Sequence, residues 1–249
     1  NMKTVEIVFS PTGGTQKVVD IIANKWGYEI AKIDLSDPDE KFDQCQINKD
    51  DNVIIAMPSF GGRAVKVAID RLGKINGNNA RCTIVCVYGN RAYEDTLVEM
   101  QDAATQSNFV VTSAIAAVAK HSIINQYAAN RPDESDKKQL GEFADKIKDK
   151  KDAVSFVPGY RPYKKSGGAS LVPKPDKNCI KCDICANSCP VKAINTTDLK
   201  ADPKKCIGCM RCVAICPHDA RVVNKAMVSV AALAIKKACS QRKDNELFI

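Results

Sequence analysis

The chain has 249 residues, enough for one large domain or two ordinary ones, and its 45% hydrophobic content is normal for a folded globular protein. The formal charge of +8 comes from basic residues spread along the chain, and aromatics make up only 6%, which argues against a nucleic-acid binder. No window approaches the roughly 18 apolar residues of a membrane span, and the start lacks a signal-peptide pattern, so the expectation is a cytoplasmic protein with no membrane span.

In chain order, Val5 to Phe9 (VEIVF) predicts a buried strand that runs into the loop 10–15. Thr15 to Trp26 predicts a helix with Val18, Val19, Ile21, Ile22 and Trp26 on one face, Trp26 as a packing residue. Tyr28 to Ile33 is a second strand, and Asn52 to Met57 (NVIIAM) a third that stops at Pro58. Ala64 to Leu72 is helical, with Gly73 as its cap. Cys82 to Tyr88 (CTIVCVY) is a strand ended by Gly89-Asn90, with Cys82 and Cys86 as buried thiols on one face. Ala92 to Ser107 is a helix, Phe109 to Ala117 a fifth strand, and Asp136 to Lys148 a helix with Leu140, Phe143, Ala144 and Ile147 apolar.

Strands alternating with helices imply right-handed βαβ units, a parallel sheet and a three-layer α/β domain over residues 1–150. Ligands of such sheets bind beyond the carboxyl ends of the strands. Three glycine-containing loops, 10–15, 58–63 and 88–95, fall at such ends and predict one composite site. Residues 151–175 carry four prolines and the Gly167-Gly168 pair and predict a linker. A flexible chain of that length spans roughly 25–30 Å, and Tyr160 and Tyr163 suggest that part of it packs. Residues 226–249 predict a C-terminal helix, 226–237, with Met227, Val230, Ala231, Ala234 and Ile235 on one side, and a charged tail from Gln241 that frays.

Between linker and helix lies an internal repeat. CIKCDICANSCPVKAI (Cys179 to Ile194) realigns on CIGCMRCVAICPHDAR (Cys206 to Arg221) 27 positions later. Of twelve cysteines, eight fall in this block, and Cys45, Cys82, Cys86 and Cys239 are scattered. Dense clustering without a secretory start favours metal over disulfides. Each unit reads C-x2-C-x2-C-x3-C-P. Structural zinc more often uses two C-x2-C pairs with a longer spacer, whereas a tight thiolate triplet suits three corners of an iron–sulfur cube.

The block resembles bacterial two-cluster ferredoxins over about residues 176–225, a small α+β domain. That resemblance implies crossed ligation. One 4Fe-4S cluster takes Cys179, Cys182, Cys185 and Cys216; the other takes Cys206, Cys209, Cys212 and Cys189. Two such clusters and a phosphate, each carrying about −2, would bring the loaded protein near ~+2. The first half ends CPVKAI and the second CPHDAR, so Arg221 stands where Ile194 does. Ile194 is expected to pack over a cluster; Arg221 is expected to be solvated, with a charge that raises one cluster's potential as the alternative. His218 reads as a surface residue.

The first loop, FSPTGGTQK, lacks both the G-x4-G-K-[ST] of a P-loop and the G-x-G-x-x-G of a dinucleotide fold. What remains is Ser10, Thr12, Gly13, Gly14 and Thr15 between a strand and a helix, where amides and hydroxyls can hold a phosphate. By itself it could equally be an ordinary anion-binding turn. The pattern resembles the FMN-phosphate loop of flavodoxins. PSFGGRAVK, with Pro58, Ser59, Phe60, Gly61, Gly62 and Arg63, resembles a flavin-flanking loop, and YGNRAYEDT, with Tyr88, Gly89, Asn90, Arg91 and Tyr93, resembles the loop on the ring's other side. Phe60 or Tyr93 is the candidate for stacking on the ring, and His121-Ser122 resembles a pair found in fusions of this kind, with a surface or internally bonded histidine as the plainer reading.

The whole chain thus resembles the flavodoxin–ferredoxin fusion proteins of anaerobic bacteria and archaea. The resemblance implies a flavodoxin-like doubly wound five-stranded parallel sheet, order 2-1-3-4-5, followed by a small two-cluster domain. It implies FMN and two 4Fe-4S clusters, and electron transfer with redox protein partners in which FMN links one- and two-electron steps. An electron carrier is the favoured expectation. A flavin-dependent reductase of a small acceptor (quinone, nitro compound or oxygen) and a redox-sensing regulator are the alternatives, and a dimer is one option for the oligomeric state.

Overall fold

A computed structural model of the chain describes residues 2–167 and 171–249. Gly168, half of the glycine pair expected in the linker, lies outside the described residues. The first unit runs β1 (Thr4–Val8), α1 (Gly14–Trp26), β2 (Ile30–Asp34), β3 (Asn52–Pro58), α2 (Lys66–Leu72), β4 (Arg81–Tyr88), α3 (Thr96–Gln106), β5 (Val110–Val118) and α4 (Glu134–Ile147). The five strands are parallel in the order β2-β1-β3-β4-β5, which is the flavodoxin-like doubly wound order. β3 and β4 read as continuous apolar runs because both of their faces are covered. On one face α2 and α3 pack over Ile55, Met57, Ile84 and Cys86; on the other α1 and α4 pack over Ile54, Ala56, Val85 and Ile115. Trp26 belongs to the second layer, where its indole N–H donates to the Ala144 carbonyl at 2.9 Å. Cys82 and Cys86 are fully buried in the sheet, and burial pushes both thiols upward.

The chain then runs through β6 (Lys174–Pro175), α5 (Ile184–Asn187), α6 (Arg211–Ala214), β7 (Arg221–Val222), α7 (Lys225–Cys239) and β8 (Glu246–Phe248). β6 and β7 pair antiparallel and close the cysteine block. The sequence repeat is also a backbone repeat. Lys181, Asp183 and Lys192 have positive φ, and so do Gly208, Met210 and Asp219, the residues 27 positions later. Ala193 N donates to Cys189 Sγ and Ala220 N to Cys216 Sγ, both at 3.3 Å.

Three expectations need correction. The sheet has six strands, because β8 pairs antiparallel with β5. The tail therefore does not fray. Asn245 inserts into the sheet domain, accepts from Val118 N at 2.9 Å and donates to Asp136 at 3.0 Å and Gln139 at 2.7 Å. Arg242 pairs with Asp133 at 2.6 Å. These buried and ion-paired partners outweigh the polar composition that suggested a free end. The segment 151–167 is likewise packed rather than free. Val154 and Val157 join the core, Tyr160 N and Lys164 N donate to the Asp95 carboxylate at 2.9 and 2.7 Å, and Arg161 pairs with Asp102. No helix among the described residues is long and apolar enough to cross a membrane.

Candidate functional site

β1 ends at Val8, and the chain turns through Ser10 to Gly13 into α1. Gly13 sits at the N-cap in the left-handed region, φ 85°, and offers no side-chain cap to the first helical amides. Ser10 Oγ accepts from Gln16 N at 2.9 Å, and Ser10 N donates to Ser36 Oγ at 3.0 Å, so Ser10 shapes the turn. A 13-residue helix thus presents its positive end toward a cavity that Pro11, Thr12, Gly14 and Thr15 line.

That cavity, about 300 Å³, lies beyond the carboxyl ends of β1, β3, β4 and β5. Its wall includes Pro58, Ser59, Phe60 and Gly61 from the second loop and Tyr88, Gly89 and Arg91 from the third. The three loops singled out from the sequence therefore converge. Gly61, at φ 61°, is required by closeness: a Cβ there would lie 2.2 Å from the Gly167 carbonyl oxygen, where the 151–167 segment crosses the loop. A Cβ on Gly89 would collide with the His121 ring at 2.6 Å. His121 lines the cavity, and its Nδ1 accepts from Ile123 N and Ile124 N, each at 3.2 Å. These bonds assign the proton of the neutral ring to Nε2. Burial, with the nearby Arg91 charge, moves the His121 pKa below its ordinary value.

Six candidate cofactor contacts do not line the cavity: Ser10 and Gly13, which shape the turn, and four that are each engaged by a different partner. Arg63 makes a two-bond pair with Glu99, donates to the Lys164 carbonyl and stacks on Tyr163. Gly62 closes against Glu94. Asn90 is buried and donates to the carbonyls of Cys239 at 3.1 Å and Gln241 at 2.8 Å, which pins the tail. Tyr93 packs edge-on against Tyr88, 5.2 Å between centroids, and donates to Glu246. Of the two stacking candidates, Phe60 is the one on the cavity wall.

The remaining wall was not legible in the sequence. Leu171, Ile207, Gly208, Ala231 and Ile235 close the cavity from the cysteine block and α7. Ile207 and Gly208 sit inside the Cys206–Cys209 turn. Arg71 fixes the neighbouring corner, donating from α2 to the Pro190 carbonyl at 2.6 Å, next to Cys189. No carboxylate residue lines the cavity among the described residues, whereas Arg91, Lys120 and His121 do. A phosphate-bearing, partly apolar molecule fits this chemistry: amides and hydroxyls from the α1 turn, basic residues from the loops after β4 and β5, and Phe60, Leu171 and Ile207 elsewhere on the wall.

None of the twelve cysteines is in a disulfide. Eight of them line two separate concavities in crossed fours. Cys179, Cys182, Cys185 and Cys216 line one; Cys189, Cys206, Cys209 and Cys212 line the other. Each set holds three cysteines of one repeat unit and the last cysteine of its twin, the arrangement that a thiolate-capped cluster requires. Burial pushes the Cys209 thiol up to about 12. Arg221 is not solvated. It is 3% exposed and lines the first concavity, while Ile194 lines the second. The reason is the β6–β7 pair, which turns residue 221 inward, where its guanidinium donates to the Pro173 and Leu199 carbonyls.

Residues 178–220 match the family described as the 4Fe-4S dicluster domain. Over that part the chain is similar to a subunit of an ion-translocating oxidoreductase complex of Methanosarcina acetivorans, 48% identical over 44 residues, covering 17% of each chain. It is also similar to a tetrathionate reductase subunit of Salmonella typhimurium, 41% identical over 51 residues, covering 18% of this chain and 20% of that one. The chain thus spans a fifth or less of the length of these two relatives. Among solved structures, an archaeal flavodoxin superposes with TM-score 0.43 and 14% identity, covering 59% of this chain and 99% of that one. At that score the strand order defines the fold on its own.

The class that fold and site define is a flavodoxin-like α/β sheet carrying a C-terminal 4Fe-4S domain. The chain joins a sheet of flavodoxin-like strand order to a C-terminal segment that matches the 4Fe-4S dicluster domain, and the two units share one cavity wall.

Proposed function

We propose that this chain is an electron-transfer protein that holds FMN in the cavity over the sheet and two 4Fe-4S clusters in the crossed cysteine sets. Residues 1–150 form the flavin unit, 176–225 the cluster unit, and 226–249 the helix and tail that join them. When bound, the clusters supply one-electron chemistry and FMN one- or two-electron chemistry. Thr12, Thr15 and the first amides of α1 bind the phosphate, helped by the helix dipole. Ser59, Phe60, Tyr88 and Gly89 orient the ring, His121 Nε2–H donates toward it, and Leu171, Ile207, Ala231 and Ile235 exclude water. Cys189, Cys206, Cys209 and Cys212 hold the cluster nearer the flavin. The observation that carries this reading is the position of Ile207 and Gly208: they belong to the Cys206–Cys209 turn and to the wall of the loop cavity at once.

The wall from the cysteine block and α7 favours a carrier between redox proteins over a reductase of small molecules. The test is purification under anaerobic conditions with iron and flavin counted, then mixing with NAD(P)H and candidate acceptors. About eight irons and one FMN per chain, with no turnover by NAD(P)H alone, is expected. Steady NAD(P)H-dependent reduction of one small acceptor would sink the carrier reading. Cys189→Ala should remove the cluster of Cys206, Cys209 and Cys212 and spare the other; the reverse loss would overturn the crossed assignment.

A further inference from the structure

One side chain belongs to two sites. Ile207 lines the loop cavity and also the concavity of Cys189, Cys206, Cys209 and Cys212. It is half-buried and packs against the apolar layer of the sheet that α2 and α3 cover. The concavity of Cys179, Cys182, Cys185 and Cys216 shares no residue with the cavity wall. Only one of the two cysteine sets therefore borders the loop cavity.

The wall over the cavity is held in two ways. α7, which supplies Ala231 and Ile235, is tied to the sheet unit by hydrogen bonds of its own. Tyr127 donates to the Ala232 carbonyl at 2.7 Å, and Asn90 donates to the Cys239 carbonyl at 3.1 Å. The Cys206–Cys209 turn has no such ties. The backbone groups of Ile207, Gly208 and Cys209 make no backbone hydrogen bond among the described residues. Gly208 sits in the left-handed region, φ 63°. None of these three belongs to the six-residue apolar core of the cysteine unit. What holds this turn closed is the pair of thiols that bracket Ile207 and Gly208, once they share a bound cluster.

We infer that loading of the set Cys189, Cys206, Cys209 and Cys212 completes the loop cavity, so that iron binding and FMN binding are linked through Ile207. The iron-loaded chain holds FMN more tightly than the same chain without iron, and FMN in turn stabilises the loaded cysteine unit. Without a cluster the four thiols have nothing to converge on, the turn recovers its conformational entropy, and Ile207 and Gly208 leave the wall. Apolar surface that Ile207 covered then faces water. α7 stays, so the cavity opens on one side and the affinity falls without vanishing. The linkage is reciprocal: a ligand that binds the closed wall stabilises it by the same factor. This inference rests on the proposed FMN and clusters, and deepens that reading by making one site depend on the other.

The test is anaerobic equilibrium dialysis of FMN against the full chain, with iron counted, in three forms: iron-loaded, stripped with a chelator and oxidant, and reconstituted with iron and sulfide. Stripping should weaken FMN binding by at least about tenfold, the lower end of what one buried aliphatic side chain contributes, and reconstitution should restore it. Ile207→Ala should weaken binding by at least about threefold, whether or not the variant keeps its iron, and Ile207→Leu should retain most of the affinity. The far-UV signal of the sheet is followed in parallel. Equal affinity in the loaded and stripped chains, or unchanged affinity in Ile207→Ala, overturns the linkage. Weakening that appears only when the sheet signal is lost, and not in Ile207→Ala, overturns it as well. A loaded chain that binds no FMN overturns the proposed function itself, whereas tight binding that ignores iron overturns only the linkage.

Discussion

The sheet unit and the cysteine unit are held together by opposite means. The largest fully buried side chains, Phe9, Ile54, Ile55, Met57, Ile84 and Leu97 among them, all lie in the sheet unit. The cysteine unit has a core of six buried residues, two of which, Cys185 and Cys189, are themselves in the proposed ligand sets. A segment of this size cannot bury enough apolar surface to fold on that basis. One unit is stabilised by removing hydrocarbon from water, the other, with the proposed loading, by what its thiolates bind. The difference explains why the cysteine block leans on the sheet at Arg71, at the shared cavity and through the β8 tail.

Removing the iron should have the largest effect and separate the units most sharply. Treatment with a chelator and oxidant should abolish protease resistance across 176–225 while the far-UV signal of the sheet persists; loss of both together would contradict the division. Ile84→Ala, in the fully buried middle of β4, should cost about 2–5 kcal/mol in urea unfolding of the sheet with the iron count unchanged. Asn245→Ala takes the acceptor from Val118 N and removes one of several donors to Asp136, and should cost about 1–3 kcal/mol, with faster hydrogen exchange in 240–249 as the readout. The double variant Thr12→Ala, Thr15→Ala should weaken flavin binding by about 1–3 kcal/mol if each hydroxyl contributes one hydrogen bond, measured by flavin dialysis; unchanged retention would remove the loop assignment.

The smallest effect concerns acid. Burial would raise the Asp136 carboxyl, but the Arg131 guanidinium, the Asp133 amide and Asn245 together hold it below its ordinary value. A depressed folded value means stability that is fully present above the unfolded value, about 3.9, and lost as pH falls through the folded one. The tail should therefore detach below about pH 4, seen as faster exchange at Val118, and Asp136→Asn should flatten that dependence.

Much of the sheet was legible because its strands are buried on both faces and its loops carry glycine at the strand ends. α1, β3, β4 and α4 lie within two residues of their expected bounds. The convergence of 10–15, 58–63 and 88–95 was legible for the same reason, since parallel connectivity brings those ends together. Asn90, Tyr93 and Arg63 were less so. A polar or aromatic residue in a site loop looks the same in sequence whether it faces a ligand or ties down a tail. Arg221 shows the same limit from the other side: an arginine at an apolar position of a repeat looks solvated until a two-residue strand pair turns it inward.

What the sequence by itself determined is local and periodic: the alternation of strands and helices, the phosphate-type turn after β1, and the spacing of eight cysteines that fixes their chemistry. What only the tertiary structure decided is which distant segments meet. β8 adds to β5, α7 and the Cys206–Cys209 turn wall the loop cavity, and Arg221 enters one thiol site and Ile194 the other. The physical reason is that these contacts join residues far apart in the chain, and their free energy arises from shared burial and charge compensation rather than from any preference the local segment carries.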